Sequence, residues 1–352
     1  MVLYIILQMR IDQSKMSDLV FSFIVYFLFM VVVITGIRKN GNKNIHDMLT
    51  KYNSLRGIFA IEVLLGHVVQ YESGTLLKPL SLFMLVSVGF FFFISAFGMC
   101  VSFHDREKYL DRHFLLRKCG YLLLIAIIVY FFSWVVTIFT GCYIWKFNSI
   151  LEMILGFPER TNWYIWGLML FYVLFYVVYR FISKASLRCL LITAISFITM
   201  TILYYFDVQE RYYVSTLCFP LGIIMGEYYE QFCNFLLSLK GMVISVILTL
   251  VGLWPLLFSR GIFTLCYSKN ICCISIILIL FIFLSKFEIK NKVILFLMKL
   301  STEIYLCSFL WIHTLELTGM NYMQRMPIIL LATILSALMI NPICFAIKKQ
   351  LK

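Results

Sequence analysis

The chain has 352 residues, 62% hydrophobic and 13% charged, against globular averages of about 45–50% and 25%. A soluble fold would expose apolar surface that thirty Lys and Arg and seventeen Asp and Glu could not cover, and a disordered chain needs the opposite composition. The net charge of +13 is better read through its placement along the chain, as membrane topology, than as a sign of nucleic acid. Apolar stretches run close to twenty residues without the alternation of a transmembrane barrel, so the expected fold is an all-α integral membrane protein, a polytopic helical bundle.

The first long run, residues 19–37, has nineteen residues without a charge and no small-residue cleavage site after it, so it should remain as an anchor. Further spans are predicted near 55–72, 82–103, 119–140, 162–180, 189–206, 213–230, 241–258, 270–285, 293–312 and 327–347, about eleven transmembrane helices in all. Residues 1–50 then form an extension with one extra helix and a basic loop, and residues 51–352 the membrane domain. Alternate loops divide the Lys and Arg nineteen to nine, which puts the N-terminus outside and the C-terminus in the cytoplasm of a multi-pass plasma-membrane protein. No loop is long enough for a soluble catalytic domain, so any chemistry belongs to the bundle. The eleven cysteines form no CxxC pair, which indicates packing residues rather than a metal site.

The span at 55–72 carries Arg56, Glu62 and His67, each costly if it faced lipid. Arg56 and His67 are eleven residues apart, three turns plus roughly 20°, so they share a face about 16 Å apart in height. Glu62 lies about 120° to 140° from both and should meet another helix. A snorkelling arginine and a hydrogen-bonded core histidine are the structural alternatives. The loop at 104–118 holds Arg106, Lys108, Arg112, Arg117 and Lys118 with His104 and His113, which is also what a positive-inside anchor looks like.

SLRGIFAIEVLLGHV, with its Arg, ten residues, then His, resembles the opening helix of the acyltransferase-3 family of membrane acyltransferases. VSVGFFFFISAFGM is similar to the family's glycine and aromatic run, with Ser95, Ala96 and Phe97 at its Ser-Gly-Phe positions. TNWYIWGLMLFYVLFYVVY, led by Trp163, FPLGIIMGE and LMKLSTEIYLCSFLWIH, with Leu300, Ser301, Tyr305 and Leu306, follow in family order. Many members have Gly at Ala96, a carboxylate at Leu168 and a His at Ser308, so roles resting on those side chains do not carry over. The Leu168 form is closer to fucose acetylases and intercellular-adhesin-type sugar acyltransferases. The extra first helix is a further departure from the family's ten-span core.

The resemblance implies transfer of an acyl group, most often acetyl, from cytoplasmic acyl-CoA to a hydroxyl of an exopolysaccharide or capsule sugar or its lipid-linked precursor. His67 is then the expected catalytic base, with Arg56, Arg117 and Lys118 at the donor phosphates. Ser95, Trp163, Ser301 and Tyr305 are possible pocket residues. No metal or bound cofactor is implied, acetyl-CoA being a co-substrate. Direct transfer and a covalent acyl-histidine relay both remain open. A polysaccharide polymerase or glycosyltransferase would be expected to show acidic residues in a sizeable outer loop, and a glycan transporter or flippase charges spread through inverted repeats.

Overall fold

The computed structural model describes residues 13–72, 81–141, 163–258, 262–316 and 318–350. It is an all-α polytopic bundle. Helix α1 (Gln13–Thr35) leads into strand β1 (Ile37–Lys39), then α2 (Ile45–Ser54), α3 (Arg56–Glu72) and α4 (Ser81–Asp105). A π-helical turn at Leu116–Gly120 opens α5 (Tyr121–Thr140), and α6 (Trp163–Phe181) and α7 (Ala185–Tyr205) follow. Next come α8 (Cys218–Glu227), α9 (Tyr229–Leu237), α10 (Leu239–Phe258) and α11 (Ile262–Leu284), then strand β2 (Phe287–Ile289), α12 (Lys292–Lys299), α13 (Ser301–Glu316) and α14 (Tyr322–Gln350).

The sequence suggests eleven unbroken spans, and the structure divides them differently. Among the described residues six helices are long and apolar enough to cross a membrane, or up to eight if each of two bent pairs counts as one span. The pair α9 and α10 bends by 83° and the pair α12 and α13 by 74°. The first bend is built at Ser238, whose extended backbone (ψ 156°) ends α9 and whose Oγ accepts from the Gly241 N–H at 3.2 Å, capping α10. The second bend lies inside one expected span, 293–312, where apolar composition carries straight through and hydropathy misses it; at the first, helix α9 occupies the gap expected between the spans at 213–230 and 241–258. The expected span at 213–230 is helical only from Cys218, after a single 3-10 turn at Glu210–Tyr212.

Helix α4 is the centre of the bundle, packed against α3, α8 and α11. Phe90, Phe92, Phe93 and Phe97 on it are almost wholly buried, whereas Phe27, Leu190, Leu250 and Phe345 on peripheral helices are exposed, as a lipid-facing surface requires. Small residues let the central helices approach. Gly222 of α8 lies so close to α4 that an added Cβ would sit 2.8 Å from the Ala96 Cβ and 2.9 Å from the Phe97 nitrogen, and one on Gly226 would meet the Cys100 Cβ at 2.5 Å. The Gly-x-x-x-Gly of α8 thus faces Ala96 and Cys100, four apart on α4. Alanine at position 96 is accommodated because its partner has no Cβ.

The first helix is tied to the rest by polar contacts. Strand β1 pairs antiparallel with β2, Arg38 opposite Glu288, and Asn291 donates to the Val32 carbonyl at 2.7 Å. Ser22 Oγ and the Tyr322 hydroxyl are 2.6 Å apart. Lys51, one of the loop cations in the charge count, is in fact buried, donating to the carbonyls of Asn40, Asn42 and Leu284 at 2.8, 2.7 and 3.0 Å and pairing with Asp47. It fastens the β1 to α2 connection to the end of α11.

Candidate active site

A cavity of about 730 Å³ opens at the end of the bundle that holds Arg56, the 106–115 loop and the end of α14. Six cations line it, Arg56, Arg106, Lys108, Arg117, Lys118 and Lys348, against the single carboxylate of Asp111. Farther in, the walls become aromatic and small, with Tyr172, Ser95, Tyr164, Phe91, Tyr305 and Leu306. A cationic mouth over an apolar shaft suits a ligand that is anionic at one end and neutral at the other.

Each side chain is placed by an identifiable piece of backbone. Arg56 opens α3 and donates from Nη2 to the Thr302 Oγ1 at 3.3 Å, across the break between α12 and α13. Ser301 and Thr302, the first two residues of α13, both line the cavity. Arg117 and Lys118 sit on the π-helical turn before α5. Arg117 donates to Asp111 Oδ2 at 2.7 Å, a hydrogen bond that holds the Asp111 carboxyl below its usual range. Lys118 lies 5.7 Å from the centre of the Tyr109 ring and Lys348 5.8 Å from that of Tyr121.

The candidates picked from sequence are only partly brought together. Arg56, Ser95, Arg117, Lys118, Ser301 and Tyr305 share the cavity lining. Trp163 does not. It is buried at the far end of α6, its ring 6.3 Å from that of Tyr164 and 6.1 Å from that of Tyr212. His67 also lies beyond the lining residues. Its ring packs against Phe309 at 4.5 Å between centroids, one turn of α13 past Tyr305. Its neighbour Gly66 abuts Met84, seven residues along α4 from Phe91, the lining residue nearest that end. The cavity therefore closes about 6 to 10 Å short of His67 by helix rise. Glu62 lies off this line, near Tyr26 of α1. His313 is half-buried and stacks on Phe309 at 6.4 Å.

Two of the family departures are now located. Leu168 lines the cavity, so an apolar wall stands where many members have a carboxylate. Ser308 is buried and donates to the Tyr305 carbonyl at 2.7 Å, within its own helix. Lys348 has no local signal in the sequence; the packing of α14 against α5 brings it to the cavity.

A second polar cluster lies between α4, α7 and α8. Arg188 forks onto Glu227 at 2.9 and 3.0 Å, His104 Nε2 is 3.1 Å from the same carboxylate, and the guanidinium lies 4.7 Å from the Tyr179 ring centre. Cys100, His104 and Glu227 offer metal-type ligand atoms within 4.8 Å of one another, but both Glu227 oxygens already accept from Arg188.

Comparison with protein families decides between the readings. The model of the acyltransferase-3 family, described as an acyltransferase domain, matches residues 49–346. The chain belongs to the acyltransferase-3 family. It is a multi-pass membrane acyltransferase, and the match takes in His67 and every residue that lines the cavity except Lys348. No curated protein and no solved structure gives a significant match.

Proposed function

We propose that this acyltransferase-3 protein moves an acyl group, acetyl in the first instance, from acyl-CoA to a sugar hydroxyl of an exported polysaccharide or its lipid-linked precursor. The observation that carries the reading is the cavity with six cations at its mouth and a neutral, largely aromatic wall farther in, whose Tyr305 lies one turn of α13 from the ring that touches His67. Coenzyme A has that polarity, with phosphates at one end and a thioester at the end of a neutral arm. Arginine forks and lysine point charges are the side chains that hold phosphates. The basic end of the bundle is then the cytoplasmic one, as the positive-inside distribution requires, and the acceptor approaches from the outer half of the plasma membrane.

In the proposed step the sugar oxygen attacks the thioester carbonyl carbon, and the carbon–sulfur bond breaks. The hydroxyl proton passes to the imidazole of His67, the type of side chain suited to proton transfer near neutral pH, and from there to the departing sulfur as free CoA thiol forms. Arg56 lies about 16 Å from His67 by helix rise, too far to serve the same carbonyl, so its part is donor binding. A polymerase or transporter reading has no such use for the cavity.

Equilibrium binding of acetyl-CoA to the purified protein tests this. Binding that weakens with salt, and weakens further in Arg117→Ala with Lys118→Ala, is expected. Absence of binding across common acyl-CoA donors would overturn the donor assignment.

A further inference from the structure

Along α13 the donor cavity stops one helical turn short of His67, and the Phe309 ring stands in that turn. On α13 the cavity lining ends at Tyr305 and Leu306, and the next residue on the Tyr305 face is Phe309. Phe309 is 5% exposed. One side of its ring meets His67 at 4.5 Å between centroids, and it stacks on His313 at 6.4 Å and 24°. Rings at 4.5 Å are in contact, so nothing the size of a methyl group fits between Phe309 and His67. An acyl group whose carbonyl approaches His67 along the Tyr305 face of α13 therefore meets the Phe309 ring. The other aromatic residues at that end have less freedom. Tyr305 packs on Tyr164 at 5.2 Å, and Phe91 and Tyr164 already form the wall.

We infer that Phe309 is the specificity-determining residue for acyl length, its ring closing the donor cavity beside His67 so that acetyl is accepted and longer acyl groups are rejected. This rests on the acyl-CoA reading above. The physical basis is ordinary packing: in a fitted apolar pocket one methylene too many or too few changes the specificity ratio by about 10- to 200-fold. Shortening the side chain leaves an apolar space that a propionyl or butanoyl chain fills, recovering the dispersion contacts that the ring made. Acetyl leaves that space empty. Longer donors therefore gain relative to acetyl.

The test uses the full chain in membrane vesicles from cells that make it, following release of CoA thiol from acetyl-, propionyl- and butanoyl-CoA. Wild type should prefer acetyl. Phe309→Ala should raise the butanoyl-to-acetyl ratio of kcat/KM by at least about tenfold, with Phe309→Leu, which keeps most of the bulk and folds more readily, in between. A ratio between donors is unmoved by losing part of the folded protein, which lowers all rates alike. For a folded variant that turns over nothing, the same ratio is read from displacement of labelled acetyl-CoA. An unchanged ratio in both variants, or a wild type that already prefers butanoyl-CoA, overturns the role of Phe309 while leaving the donor reading in place. A wild type that neither binds nor turns over any acyl-CoA overturns both.

Discussion

The Arg56 guanidinium reaches across to Thr302 at 3.3 Å, joining the first residue of α3 to the first turn of α13 at the point where α12 and α13 part by 74°. The contact puts the arginine at the mouth of the cavity beside the start of a helix. Arg56 thus faces the cavity, whereas a snorkelling side chain would run outward along lipid.

Arg56→Lys keeps the positive charge and loses the planar fork. It should raise KM for acetyl-CoA roughly tenfold while thermal stability in detergent changes little. Comparable losses of stability and of donor use would instead mean that Arg56 is chiefly a structural tie.

Asp111 and Lys348 should act with opposite signs. Asp111 is the one carboxylate among the lining residues and is bonded to Arg117, so Asp111→Asn should tighten acetyl-CoA binding by about two- to fivefold at low salt, and less as salt rises. Lys348→Gln should weaken it under the same conditions. The Asp111 carboxyl is held below the usual range, so the Arg117 contact persists at neutral pH and is lost only as pH falls through that lowered value. Titration calorimetry at two salt concentrations reads both variants, and equal shifts in one direction would contradict the electrostatic account.

The Arg188–Glu227 fork is a matter of stability. Its side chains are 7% and 1% exposed, so Glu227→Gln leaves a buried guanidinium without its countercharge and should destabilise by about 3–5 kcal/mol. Arg188→Met added to that variant should restore much of the loss, because replacing both ions removes the stranded charge. Thermal unfolding of the three proteins in one detergent checks it. A double variant no more stable than Glu227→Gln would show that Arg188 matters for its stacking on Tyr179 and Phe103 rather than for the ion pair.

Much of the bundle was legible because lipid imposes long apolar helices, and composition reports that directly. The bend at Leu300 was not, because a local turn breaks a helix without lowering its hydropathy, and the short helix ending at Leu237 was not, because its charged and amide residues Glu230, Gln231 and Asn234 read as a loop. Of the candidates marked by a polar signal nearby in sequence, Arg56, Arg117 and Lys118 line the cavity and His67 lies beyond it. Lys348 and Phe309 were missed for a different reason. Nothing local sets a C-terminal lysine or one more phenylalanine apart, and each matters only through the helix that packs opposite. Trp163 erred the other way, an aromatic at a helix start that packing directs toward Tyr212 instead of the cavity.

The central claim is that His67 performs chemistry rather than packing. His67→Gln keeps comparable bulk and hydrogen-bonding capacity but cannot take up a proton near neutral pH. Acylation of cell-surface glycan, quantified by NMR in cells lacking the protein and complemented with wild type or His67→Gln at matched membrane expression and thermal stability, tests this most directly. A general base contributes about 10² to 10⁴ in rate, so near-complete loss of glycan acylation is expected. Wild-type acylation by well-expressed, stable His67→Gln would contradict the mechanism.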